Sequence, residues 1–178
     1  MELETQRLLL RPWQDSDAPD LYLYAKDPRV GIPAGWPPHS SVENSREIIR
    51  TILSERETYA VLWKETGQAI GSVGLKFGEK TDLTDREDEA EIGYWLGVPF
   101  WGRGIMPEAV RELIRHGFEE FKLKKIWCGW YEGNINSWRV QEKCGFHHHH
   151  TTEQVYVGAL GEYRKGHVSL LTRDGWKG

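Results

Sequence analysis

The chain has 178 residues, with 23 Lys and Arg against 27 Asp and Glu, a net charge of −4 with histidines neutral. That length suits one domain, residues 1–178, able to bury a core without disulfides or metal. A mean hydropathy of −0.61 and the lack of any apolar run near the ~20 residues of a membrane span argue against a membrane protein, and a pI near 6.0 argues against a nucleic-acid partner. Cys128 and Cys144 form no CxxC and no disulfide framework. The opening MELETQRLLLRPW lacks a basic-then-apolar leader pattern. The expectation is a soluble cytoplasmic domain, monomer or homodimer.

In chain order, TQRLLLRPW reads as a strand ended by Pro12, and Asp15 as the cap of a helix over SDAPDLYLYAKD, with Leu21, Tyr24 and Ala25 at helical spacing. Residues 31–41, GIPAGWPPHSS, hold three prolines and two glycines and read as a loop. Ser40 or Ser41 then caps a helix with Ile48, Ile49, Ile52 and Leu53 on one face. TYAVLWK and QAIGSVGLKFG form a hairpin about ETG. AEIGYWLG follows as a strand stopped by Pro99. The clearest helix starts at Pro107, with Val110, Leu113, Ile114, Phe118 and Phe121 as its apolar stripe. KKIWCGWY reads as a strand, NSWRVQEKCG as a short helix ended by Gly145, and HHTTEQVYVGAL and HVSLLTR as two last strands. This order predicts an α/β (α+β) sheet of about seven strands flanked by about four helices.

The most informative stretch is EIGYWLGVPFWGRGIMPE, from Glu91 to Glu108. A strand enters a glycine turn and then a strong helix, whose first N–H groups lack partners and carry the positive end of the dipole. Gly102 and Gly104 let a ligand approach the backbone, and Arg103 between them adds charge. The pattern suits phosphate or pyrophosphate. GxxxxGK[ST] is absent, and GxGxxG fails because Pro107 holds the third glycine position. A plain strand-to-helix turn is the alternative.

The pairing of GYW, WGRG and EA with NINSWRVQEKCGF thirty residues later resembles the GCN5-related N-acetyltransferase (GNAT) superfamily, in its ribosomal-protein-alanine (Rim-type) branch. The resemblance spans nearly the whole chain. It implies a splayed mixed GNAT-type sheet and acetyl-CoA as co-substrate, without a metal. It also implies direct transfer to a primary amine, either a protein N-terminal α-amine or a small-molecule amine. By that resemblance, the backbone of Gly102, Arg103, Gly104, Ile105 and Met106 cradles the pyrophosphate. The family's usual closing Gly or Ala is here Met106, so that side chain must point away. Backbone groups around Leu96 and Val98 pair with the pantetheine arm where the strand breaks, with Gly97 permitting a bulge. One of these N–H groups holds the oxyanion, a contribution of about 3 kcal/mol. Asn134 hydrogen-bonds the pantetheine and Ser137 assists the departing thiolate, with helix capping the rival role for both. Glu91 is the candidate general base, directly or through water; a surface glutamate in the acidic run EDEAE is the rival.

Glu108 reads as structural, favoured by the helix dipole alone. Tyr94 and Tyr156 are candidates to line the acceptor cleft, as are Trp36 and Trp138, while Trp95, Trp127 and Trp130 read as core. The run His147–His150 lacks a second cluster to complete a zinc site. The alternative function is a non-catalytic acyl-CoA-binding or sensing module on the same fold. A longer acyl group such as succinyl is a further possibility.

Overall fold

The computed structural model describes residues 1–178. One mixed sheet runs β1-β2-β3-β4-β5-β6-β8-β7. Its strands are β1 (Leu3–Glu4), β2 (Leu8–Pro12), β3 (Thr58–Trp63), β4 (Ala69–Lys76), β5 (Glu89–Leu96), β6 (Lys125–Tyr131), β7 (His147–Val157) and β8 (Glu162–Thr172). The helices are α1 (Ala18–Ala25), α2 (Pro28–Ala34), α3 (Val42–Ile48), α4 (Ile105–Glu119) and α5 (Ile135–Lys143). The mixed α/β architecture expected from the sequence is present, with one strand and one helix more. No helix is long and apolar enough to cross a membrane.

The added helix is α2, whose residues 31–34 fall in the segment 31–41 read as loop. Asp27 caps it by accepting from the Arg29 amide at 2.9 Å, Pro28 opens it, and Gly35 ends it at φ +95°. Proline in the first turn and left-handed glycine just past the end are what a short helix requires. Pro33 falls in its last turn, so the composition that suggested a loop marks a helix and its stop.

The start of α1 also differs. A 3-10 turn over Asp15–Asp17 precedes α1, and Gln14 and Asp17 share a reciprocal capping box. Asp15 instead pairs with Arg50. Ser41 does cap α3, accepting from the Asn44 amide at 3.0 Å. A π-helical turn over Ile49–Leu53 then breaks the expected stripe: Ile49 is buried while Ile52 is 59% exposed.

The main core lies between the sheet and α4. Val110, Leu113, Ile114 and Phe118 of α4 are fully buried against Leu75, Ala90, Ile92 and Ile126. A smaller cluster on the other face packs Trp13, Leu21 and Ile49 against Ala60 and Leu62. Strand alternation assigns Ala90, Ile92 and Leu96 to the α4 face, and with them Tyr94, which packs against the same core. Glu91, Gly93 and Trp95 take the α1/α3 face.

The centre of the sheet positions the site. β5 pairs antiparallel with β4 from Gly71↔Leu96 to Lys76↔Glu91. It pairs with β6 in parallel over only Glu89↔Lys125, Ala90↔Ile126 and Glu91↔Trp127. Beyond Glu91 the two strands part, leaving one edge of β5 free inside the molecule.

Candidate active site

A cleft of about 1680 Å³ opens where β5 and β6 separate. The free β5 edge, the turn before α4 and the face of α5 line it, as do Trp36 and the π turn. Gly97 N donates to Ile70 O at 2.8 Å on the β4 side, so alternation along the strand turns the Leu96 amide to the open edge. The Leu96 carbonyl accepts from the Trp101 indole at 2.8 Å. β4 and β5 run through Leu96 without a register shift, so the expected bulge at Gly97 is absent. Gly97 serves a close approach instead: a Cβ there would lie 2.7 Å from the Tyr24 ring. Val98 begins a 3-10 turn over Val98–Phe100 that leads into the glycine loop.

Gly102 and Gly104 have φ of +70° and +71°, the left-handed region where a side chain is penalised. A Cβ on Gly102 would meet nothing within 4 Å, so its backbone is open to a ligand. Gly104 caps α4, which starts at Ile105 with Pro107 in its first turn. Ile105 and Met106 are 1% and 3% exposed, so the Met106 side chain points into the core and away from the loop. The Arg103 guanidinium lies over the Trp63 ring, 5.1 Å from its centroid, and 5.8 Å from that of Phe100. Its side chain therefore follows the β3 aromatics, outside the cleft lining, and only its backbone remains with the loop. Cations do face the cleft from α5: Arg139 and Lys143, one helical turn apart, line it without a carboxylate partner. Their i, i+4 spacing was the available sequence signal.

Asn134 is the N-cap of α5, with Oδ1 accepting from the Ser137 amide at 3.4 Å. Its Nδ2 donates to Pro33 O at 3.3 Å, tying α5 to the end of α2. Ser137, in the first turn of α5, does not cap; its Oγ lies 3.1 Å from Tyr94 Oη and 3.3 Å from Gln141 Nε2. Glu91 Oε2 accepts from the Thr81 hydroxyl at 2.7 Å and Oε1 from Lys76 Nζ at 3.1 Å. Glu91 and Ser137 thus flank the parting strands from opposite faces of the sheet. Glu108 accepts from Thr5 Oγ1, the Arg7 amide and Arg7 Nε. Burial opposes its charge, but those hydrogen bonds and Arg7 prevail, and its pKa falls below the ordinary value.

The aromatic residues divide differently from expectation. Trp36 lines the cleft and meets Trp95 edge-on at 6.0 Å. Trp95 and Trp130 also line it, while Trp127 is buried. Trp138 stacks on Trp130 at 5.7 Å without lining the cleft. Tyr156 is exposed against Tyr163, away from the cleft. His147–His150 lie along the exposed edge strand β7, and no group of three His, Cys, Asp or Glu has metal-holding geometry.

Residues 7–147 match the family described as the acetyltransferase (GNAT) domain. The chain belongs to the GNAT family of acetyltransferases. Uncharacterized N-acetyltransferase p20 of Bacillus licheniformis is 36% identical over 130 residues, 70% of each chain. Among solved structures, the ribosomal-protein-S5-alanine acetyltransferase of Vibrio fischeri superposes with a TM-score of 0.75 at 21% identity, covering 100% of both chains. The microcin C7 self-immunity acetyltransferase MccE, solved with acetyl-CoA and AMP, superposes with a TM-score of 0.76 at 19% identity over 94% of this chain and 93% of that one. The sequence expectation of a GNAT acetyltransferase holds, and the non-catalytic sensing alternative finds no support among these relatives.

Proposed function

We propose that the protein moves the acetyl group of acetyl-CoA directly to a primary amine, a protein N-terminal α-amine or the amine of a small molecule. The observation that carries this reading is the parting of β5 from β6 at Glu91↔Trp127, with Glu91 and Ser137 on its two flanks. A free strand edge offers backbone groups to an extended ligand containing amides, and the pantetheine arm is such a ligand. The loop at Gly102–Met106, at the amino end of α4, suits its pyrophosphate, and Arg139 and Lys143 add charge nearby.

Acetyl-CoA, when bound, supplies an activated thioester. The free edge of β5 from Leu96 to the turn at Val98 holds it in line, and the Leu96 amide meets the carbonyl oxygen as it gains charge. Glu91, oriented by Lys76 and Thr81, takes the amine proton directly or through water. Ser137 donates a hydrogen bond to the leaving sulfur. The glycine loop and Asn134 bind and orient. The cytoplasm is the compartment we assign, a choice supported by two free, buried cysteines.

The test is incubation with acetyl-CoA and a panel of N-terminal peptides and small amines, reading released thiol, with cofactor binding followed by tryptophan quenching. Thiol release with one acceptor class supports the proposal and names the substrate type. Absence of acetyl-CoA binding overturns it. The Rim-type resemblance and the fold of the Vibrio fischeri enzyme put N-terminal peptides first in the panel.

A further inference from the structure

Beneath the cleft, two side chains outside the mechanism above converge on Ser137. Tyr94 Oη lies 2.9 Å from Ser137 O and 3.1 Å from Ser137 Oγ. Gln141, one turn further along α5 and 0% exposed, places Nε2 3.3 Å from Ser137 Oγ and 3.5 Å from Gly129 O. Its Oε1 is buried without a partner.

The protons can be assigned from the chemistry of the groups. Ser137 O is a carbonyl and can only accept, so the Tyr94 proton goes there. Burial, foremost, pushes the Tyr94 phenol well above its ordinary pKa, so that proton stays in place. Gly129 O also only accepts, so Gln141 turns its NH2 group, not its oxygen, toward Gly129 and Ser137. The orphaned Oε1 is the cost of that orientation, since a buried acceptor without a donor is unfavourable. Ser137 Oγ therefore receives a hydrogen bond from Gln141. Its own proton meets no carbonyl or carboxylate; the one acceptor in reach is the neutral Tyr94 Oη at 3.1 Å, a weaker partner than an anion, so the hydroxyl can turn from it to a charged sulfur in the cleft.

We propose that Tyr94 and Gln141 are positioning residues that hold Ser137 as a hydrogen-bond donor toward the cleft, so that it stabilises the sulfur anion formed in acetyl transfer. This rests on the acetyl-CoA reading above. In the step, the amine nitrogen bonds to the carbonyl carbon and the carbon–sulfur bond breaks. Its electron pair stays on sulfur, and the amine proton leaves toward Glu91. Ser137 keeps its proton throughout. Loss of Tyr94 or Gln141 therefore weakens the hold on a charged sulfur and leaves recognition of the rest of the molecule intact.

The experiment compares the native protein with Tyr94→Phe, Gln141→Leu and Ser137→Ala. The first readout is the pH at which the thiol of bound CoA ionises, followed by thiolate absorbance; the control is the affinity for desulfo-CoA, followed by tryptophan quenching. In the native protein the bound thiol ionises at lower pH than free CoA. Tyr94→Phe and Gln141→Leu each move it back toward the free value, as Ser137→Ala does, while desulfo-CoA binds all four proteins within about twofold. With acetyl-CoA and an accepted amine, each single variant lowers kcat about tenfold or more with little change in KM for acetyl-CoA, and combining Tyr94→Phe with Ser137→Ala costs no more than Ser137→Ala alone. The proposal is overturned if the thiol of bound CoA ionises at the same pH in the native protein, Tyr94→Phe and Gln141→Leu, or if desulfo-CoA affinity falls in step with kcat. In both cases a native protein that still turns over leaves the transferase reading standing. Failure of the native protein to bind any CoA removes both.

Discussion

Glu108 Oε2 takes Arg7 Nε at 2.7 Å, joining residues 101 positions apart and fastening the amino end of α4 to the loop between β1 and β2. Thr5 and the Arg7 amide fill Oε1 at 2.6 and 2.9 Å, and Arg7 Nη1 donates to Arg103 O in the glycine loop at 3.0 Å. Glu108→Gln is expected to lower stability by about 1.5–3 kcal/mol, the range for hydrogen bonds to a charged group. The folded pKa lies below the ordinary 4.5. The contribution is therefore complete above about pH 4.5 and is lost as pH falls through the depressed folded value. Denaturant melts of both proteins between pH 3 and 7 check this (about that range suffices): the gap between them narrows in acid.

The glycine loop separates folding from binding. Gly102→Ala places a methyl at φ +70°, where a non-glycine residue costs roughly 1–2 kcal/mol, yet into open space. Stability falls by about that amount while acetyl-CoA affinity falls further, because the methyl occupies the approach to the backbone. Gly104→Ala carries the same backbone strain, with Arg7 Nη2 at 3.7 Å in ordinary contact. Thermal melts beside tryptophan-quenching titrations separate the two effects.

Glu91→Gln keeps the shape of the side chain and its hydrogen bond from Thr81 but removes the proton acceptor. Turnover is expected to drop about 10²-fold or more, and the rise of kcat/KM with pH to lose the limb that belongs to the base. A pH profile unchanged from the native one would assign the base elsewhere.

Both cysteines are buried. Burial raises the Cys144 thiol to about 11 and the Cys128 thiol higher still. Neither is expected to react with a thiol reagent in the native state at neutral pH, since the thiolate is the reactive form. Reagent uptake by folded and denatured protein should differ by both thiols. Released-thiol assays then report CoA alone.

Where the sequence was legible, a strong periodicity or a fixed loop chemistry was present. The α4 stripe and the Gly102–Gly104 turn are of that kind, as is the Asn134–Ser137 spacing. The reading weakened where a residue type serves two purposes. Proline and glycine over 31–41 looked like a loop because the same residue types open and close short helices. Arg103 looked like a phosphate ligand because its position lies in the loop, yet two aromatic faces from distant β3 and the adjoining turn attract its guanidinium. Gln141 left no mark at all. A glutamine one turn after Ser137 is ordinary helix sequence, and its placement under the cleft follows from how α5 packs on β6.

The central sheet also has a mechanical meaning. Three residue pairs, Glu89↔Lys125, Ala90↔Ile126 and Glu91↔Trp127, are the backbone ladder between β1–β5 and β6–β8. Any widening of the gap to admit or release a ligand must pivot on those pairs, as a clothes-peg turns on its spring. The Tyr94–Ser137 and Asn134–Pro33 contacts and the Arg111 hydrogen bond to Lys143 O at 2.8 Å span the jaws and resist that opening.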